Sequence, residues 1–331
     1  MMKAHSLSDK NTAIRLMNSY GSQKKPFLFI VDFMAEHSII QPLIDLDPEM
    51  LQFCIHGFGN GQPFDAGTGK KMTFSKFPVT FESYAFQYDK VAREIEYGNS
   101  YLLNLTCPTP IAVNLDLHEI FDRSDAPYKL WFNNRFVVFS PETFIRIENG
   151  KISSFPMKGT IDASLPDAEQ KLLSDPKELA EHYTIVDLIR NDLGGVASQV
   201  KVEEFRYIGR IETNYGALLQ ASSRITGILP DNYRENLGSI LFRILPAGSI
   251  SGAPKERTLQ IIRETETYDR GFYTGVFGYF DGNNLDSGVM IRFIESTPEG
   301  MIFKSGGGIT SFSEAEKEYR EMIAKVYVPF T

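Results

Sequence analysis

A chain of 331 residues is long enough for two average domains or one large one. Hydrophobic residues make up 42% and charged residues 23%, with 25 Phe and 15 Tyr, which excludes a disordered protein. A net charge of −8 with no Lys/Arg block argues against nucleic-acid and anionic-membrane binding, and two cysteines, Cys54 and Cys107, make no disulfide framework, so a reducing, cytoplasmic setting is expected.

In chain order, residues 26–34 (PFLFIVDFM) form the first strongly apolar run. They are too few to span a bilayer and contain Asp32. The run follows Lys24 and Lys25, as a signal-peptide core would, but no small-residue cleavage site follows and Met1 is far away. A buried strand is the expectation. Residues 57–69 (GFGNGQPFDAGTG) tempt a phosphate-loop reading. It fails because Phe64 stands where the first glycine belongs and Lys71 where Ser or Thr is needed. A plain loop is expected there.

Helices are expected over 83–97, 175–192, 232–242, 254–266 and 314–326. Strands are expected over 135–140, 143–148, 218–228, 271–281, 288–295 and 301–305. Turn signals at Glu148-Asn149-Gly150-Lys151, Asp281-Gly282-Asn283-Asn284 and Thr297-Pro298-Glu299-Gly300 join strands as hairpins, so the sheets should be largely antiparallel. With no regular βαβ rhythm, the fold class is α+β.

Two helices carry carboxylates where they are costly. The first opens with Asp175 as cap, Pro176 in its first turn and Glu178 three residues after the cap, and it stops at Gly194-Gly195. At about 100° per residue, Glu178 and Glu181 share the arc of Ile185, Leu188 and Ile189. Burying an unpaired charge is unfavourable. A capping box accounts for Glu178 but not for Glu181. In the last helix, Ser313 and Glu316 are spaced as a capping box. Ala315, Tyr319, Met322, Ile323 and Val326 form its apolar face, with Glu314, Glu318, Glu321 and Lys325 on the adjacent arc. Glu318 and Glu321 repel each other unless a cation sits between them; a solvated face with a Glu321–Lys325 pair is the alternative. Two Glu-x-x-Glu pairs suit Mg²⁺, which prefers hard oxygen ligands. Five His and two scattered Cys speak against zinc.

Three further segments bear on chemistry. Ser305-Gly306-Gly307-Gly308, between a strand and the last helix, reads as an anion-binding loop or a strained turn. Residues 248–255 (GSISGAPK) open a helix, with Pro254 near its first turn. In Pro156-Met157-Lys158-Gly159-Thr160, a lysine in a dry setting becomes a nucleophile, whereas an exposed one is an ordinary surface residue.

Together these pieces resemble the chorismate-utilising enzymes, the anthranilate, aminodeoxychorismate, isochorismate and salicylate synthases. The resemblance rests on Ser140-Pro141-Glu142, PMKGT at 156–160, EHYTIVDLIRND at 181–192, GSISGAPK at 248–255, GVFGYF at 275–280, Ile291-Arg292, SGGGI at 305–309 and EYREMIAKV at 318–326. It implies an α+β fold with large, mostly antiparallel sheets in a sandwich-like core flanked by helices. It also implies a reduced N-terminal subdomain over 1–70 and a chorismate-binding catalytic domain over 71–331.

The resemblance is nearest to the aminodeoxychorismate branch, which carries Lys where Lys158 stands; anthranilate synthases carry Ala there. The isochorismate and salicylate enzymes need a lysine in the segment matching residues 98–106, where this chain has Leu102. Amination is therefore expected rather than addition of water. The family implies Mg²⁺ held by Glu181 and Glu321, with Glu178 and Glu318 acting through water. It makes Glu142 the general acid and Lys158 the nucleophile, and it assigns substrate binding to Gly159, Thr160, Ser249, Tyr279, Arg292, Gly306, Gly307, Gly308 and Lys325. Ammonia would come from a glutamine amidotransferase subunit, since neither Cys54 nor Cys107 sits in a nucleophile elbow, and a separate lyase would process the product. Gln220 stands where the family usually has His, and the tryptophan pocket of longer members is expected to be missing. The alternatives are an anthranilate synthase or a non-catalytic chorismate-binding protein.

Overall fold

Phe27–Val31 (FLFIV) has every residue buried, which requires a strand covered on both faces. It pairs with His37–Pro42 on one edge and with Val276–Phe280 on the other. This strand belongs to the first of two compact units in the computed structural model, which describes residues 7–61, 71–213 and 216–329. The first unit is built from the chain up to Asp45, from Glu142–Ser249 and from Gly275–Val289. The second takes Leu46–Pro141, Ile250–Thr274 and the chain from Met290 onward. Residues 62–70 of the expected loop lie outside the described residues.

In the first unit, one ten-stranded antiparallel sheet carries the site. Beyond Val276–Phe280 it continues through Leu285–Val289, Thr143–Glu148, Lys151–Ser154, Gly216–Ile228 and Met157–Asp162. The Thr143–Glu148 and Lys151–Ser154 strands meet in a two-residue hairpin, and Asn149 and Gly150 both take positive φ, 51° and 78°. That is the turn the Asn-Gly signal predicts. Ser198–Thr213 runs along the other side of Gly216–Ile228. The Pro176–Gly194 helix packs on these long strands, and Asp175 caps it by accepting the Glu178 N–H at 3.1 Å. Residues 232–242 begin as a 3-10 turn, Tyr233–Asn236, before the Leu237–Ile244 helix.

The second unit holds a nine-stranded antiparallel sheet. Its long strands, Leu102–Val113 and Gly300–Ile309, pair along most of their length. Phe293–Thr297, Phe136–Ser140, Tyr128–Phe132 and Leu51–Ile55 follow in order. Phe53, Tyr128, Phe136, Phe293 and Phe303 are almost fully buried and form much of its core. The Phe81–Glu96 and Ala315–Ala324 helices pack together, with Tyr84 against Tyr319 at 5.4 Å between ring centroids. A buried brace ties the Leu102–Val113 strand to the end of the Lys255–Thr265 helix. Arg270 donates to both Glu266 oxygens, at 2.8 and 2.7 Å, and to the Asn104 carbonyl at 2.7 Å. Glu266 also accepts the Thr106 N–H and hydroxyl.

The expected α+β class and antiparallel pairing hold, and four local expectations are corrected. The single strand over 288–295 is two strands, Leu285–Val289 and Phe293–Thr297, in different sheets. The chain turns between them with Arg292 at φ +54°, a conformation that apolar periodicity does not reveal. The strand over 271–281 is shorter, Val276–Phe280. Gly306, Gly307 and Gly308 lie within the Gly300–Ile309 strand, paired to Thr106, Leu105 and Asn104, rather than in a loop after it. The Ser313–Glu316 capping box does not form. Glu314 is the cap residue of the last helix, the Ser313 hydroxyl accepts the Thr310 N–H, and Glu316 pairs with Arg320.

Candidate functional site

In the first unit, the start of the Pro176–Gly194 helix faces the Met157–Asp162 strand. Glu181 is 9% exposed, and its Oε2 lies 3.4 Å from Lys158 Nζ. Glu178 faces the next strand residue: a Cβ placed on Gly159 would come within 2.9 Å of Glu178 Oε2. Gly159 also has φ +82°, a region other residues rarely adopt. Lys158, Gly159, Glu178 and Glu181 are thus brought together. The Lys158 side chain is 22% exposed, neither a free surface lysine nor a buried one.

Glu142 precedes the Thr143–Glu148 strand and accepts the Ser249 hydroxyl at 2.7 Å. Ser249 therefore acts first on the carboxylate assigned as acid. Both line a cavity of about 20 Å³, together with Pro156, Ser154 and Asp192. That volume holds roughly one water molecule. Thr160 pairs with Gln220 across the strands. Tyr279 lies apart, on a polar cavity of about 280 Å³ lined also by Arg146, Asp281, Asn284 and Asp286. Burial and then Asp286 push its phenol above the usual range.

In the second unit, the last helix faces the glycine strand. Lys325 Nζ donates to the Gly306 carbonyl at 2.9 Å and pairs with Glu321 at 2.7 Å, as one reading of the helix expected. A Cβ on Gly307 would lie 3.4 Å from Glu318 Oε2, 3.7 Å from Lys325 Nζ and 3.9 Å from Glu321 Oε1. Only glycine keeps that strand clear beneath the two carboxylates. Glu318 is 5% exposed, whereas the Glu321 side chain is 56% exposed. Gly308 continues the same strand opposite Asn104. Arg292 sits over the Tyr327 ring at 5.3 Å.

The carboxylates were tested as Mg²⁺ ligands on their donor chemistry. Each unit offers two glutamates, and Mg²⁺ is commonly held by one or two carboxylates with water completing the shell. Among the described residues, no three His, Cys, Asp or Glu gather into a metal cluster. The donor type fits, and each pair needs further oxygens from elsewhere. The Cys107 thiol is pushed up to about 12 by burial, which leaves it a poor nucleophile. Among the described residues, no helix is long and apolar enough to cross a membrane.

One residue of the site escaped the sequence reading. His182, next to Glu181, is fully buried, with Nε2 2.6 Å from the Ser223 hydroxyl. Burial, then the nearby Arg206, depress its pKa to about 4, so the ring is neutral near pH 7. Its position three residues before Ile185 places it on the buried arc, the one signal available beforehand.

Comparison with known proteins agrees with this picture. Residues 49–330 match the family described as chorismate binding enzyme. A PabA-like protein of Pasteurella multocida is 51% identical over 316 residues, 96% of this chain and 98% of that one. Aminodeoxychorismate synthase component 1 of Salmonella typhimurium is 33% identical over 73% of this chain and 56% of its own length. Anthranilate synthase component 1 of Aquifex aeolicus is 40% identical over 56% of this chain and 38% of its own. The 2,3-dihydroxybenzoate-specific isochorismate synthase of Bacillus anthracis shares the fold, with a TM-score of 0.73 at 18% identity over 97% of this chain and 89% of that one. The chain belongs to the chorismate-binding enzyme family.

Proposed function

We propose that this protein is an aminodeoxychorismate synthase, component I, converting chorismate and ammonia to 4-amino-4-deoxychorismate on the route to 4-aminobenzoate. The observation that carries the reading is Lys158 itself, half-buried beside Glu181 on a strand of the first unit. Glu142 protonates the 4-hydroxyl as it leaves as water, and the Lys158 amine forms a bond to ring C2 as the C4–O bond breaks. Ammonia then bonds to C4 and the C2–N bond breaks, returning the amine to Lys158. Each displacement is allylic, so one difficult substitution becomes two easier ones.

In the geometry described, Lys158 is the cationic partner of Glu181, and attack requires release of that pair. Mg²⁺ on the glutamate pairs supplies positive charge for the substrate carboxylate and offsets the acidic side chains. Ser249 orients Glu142. Arg292, Lys325 and the 306–308 backbone bind the anionic substrate, since a guanidinium fork matches a carboxylate. A glutamine amidotransferase subunit supplies the ammonia in the cell, and a lyase consumes the product. Leu102, 1% exposed, offers no base for activating water.

The test is incubation with chorismate, Mg²⁺ and ammonium, with the product identified by mass before and after addition of an aminodeoxychorismate lyase. Amination at C4 is expected, lost on chelation of the metal and in Lys158→Ala, which still binds chorismate. Formation of only isochorismate or anthranilate overturns the reading. Unchanged turnover in Lys158→Ala removes the covalent route. Anthranilate is the second candidate product, because the Aquifex relative carries that activity in its name.

A further inference from the structure

Lys158 does not sit in a regular ladder. Met157 pairs with Ser222 and Thr160 with Gln220, so Lys158 and Gly159 together oppose Ala221 alone. Two residues against one is a β-bulge, which interrupts the ladder and re-aims the side chains it carries. A residue meant to deliver an amine to one ring carbon needs that bulge held from outside.

His182 packs against it. Ser223, whose hydroxyl lies 2.6 Å from Nε2, also accepts the Arg206 N–H on that hydroxyl, at 3.0 Å. The Ser223 N–H bonds the carbonyl of Pro156, two residues before Lys158. The ring's remaining polar interaction is with the Lys158 backbone. Nδ1 is sealed from solvent and makes no hydrogen bond within ordinary distance and angle limits, so that contact is loose as it stands.

The proton positions follow from donors and acceptors. The depressed pKa makes the imidazole neutral, with one N–H and one bare nitrogen. If Nε2 carried the proton, bare Nδ1 would face the Lys158 carbonyl, and the Ser223 hydroxyl would have to find another acceptor. With Ser223 donating to Nε2, Nδ1–H faces that carbonyl and both conflicts vanish.

We infer that His182 is a positioning residue for Lys158, with Nε2 accepting from Ser223 and Nδ1–H held for the Lys158 carbonyl, clamping the bulge that aims the amine. It touches no substrate and passes no proton. The inference rests on the reading of Lys158 as nucleophile, yet it is tested without turnover.

Two measurements on the full chain decide it. Proton–nitrogen correlation spectra of ¹⁵N-histidine protein, assigned with His182→Asn, are expected to show Nδ1 protonated and Nε2 bare. The opposite tautomer, or a doubly protonated ring at pH 7, overturns the inference. Competitive acetylation read by mass spectrometry compares Lys158 with Lys201, whose side chain is 67% exposed. In His182→Ala, the relative rate at Lys158 is expected to change by about tenfold, the size of one lost buried hydrogen bond. In His182→Asn, whose amide N–H replaces Nδ1–H, the rate is expected to stay within about twofold of the parent. A folded Ala variant with the parent rate, or an Asn variant that behaves like Ala, overturns it. Should the Ala variant not fold, the tautomer and the Asn variant decide alone. Activity surviving in Lys158→Ala would remove the proposed chemistry and leave these two results intact.

Discussion

Gly159 meets two independent demands. Its φ of +82° disfavours any side chain, and the space where a Cβ would go is taken by Glu178 Oε2 and Leu172 Cδ1, both at 2.9 Å. Left-handed backbone costs a non-glycine residue about 1–2 kcal/mol before any clash. Gly159→Ala is therefore expected to lower stability by about 1–3 kcal/mol in urea unfolding and to displace Glu178. A variant as stable as the parent would mean that the bulge relaxes freely. Much at this scale was legible in advance. Glu181 stood out as a carboxylate on an apolar arc, and its partner is Lys158, the lysine that also stood out. The same arc held His182, but a buried histidine carries no signal of its partner until a strand 41 residues away brings Ser223 to it.

Among the elements, the Glu266–Arg270 brace holds a helix end to a strand. The two side chains are 1% and 2% exposed, so removing either leaves a charge without water or counter-charge. Glu266→Ala is expected to destabilise the protein by about 3–5 kcal/mol in denaturant unfolding. A loss below about 1 kcal/mol would show that water reaches Arg270 in the variant. Hairpins and amphipathic helices announced themselves through turn residues and period. The Leu102–Val113 strand did not, because Pro108 and Pro110 interrupt its pattern. The ladders explain how a strand tolerates them. Its outer edge pairs with Gly252–Ala253 at residues 102–103 and with Phe74–Lys76 at 111–113. The prolines fall in the gap between these short neighbours, where a missing N–H costs no ladder bond. The glycine strand was misread for a related reason: three glycines signal a turn locally, and only the long partner strand makes them a ladder.

For the whole molecule, the chain's order matters more than its length. Each unit is assembled from three separate stretches. Removing residues 1–70 would strip Phe27–Val31 from Val276–Phe280 in one sheet and Leu51–Ile55 from Tyr128–Phe132 in the other. Residues 71–331 alone are therefore expected to lack a cooperative unfolding transition by circular dichroism. A cooperative transition in that fragment would mean that both sheets close without those strands.

The same threading bears on how the protein is made. Phe27–Val31 leaves the ribosome early and finds His37–Pro42 at once, but its other edge waits for Val276–Phe280. At about 5–20 residues per second, that wait lasts some tens of seconds. Throughout it, five consecutive residues destined for full burial present an open strand edge to the cytosol. Nascent-chain protection, rather than final stability, is the stage at which this fold is most exposed to aggregation.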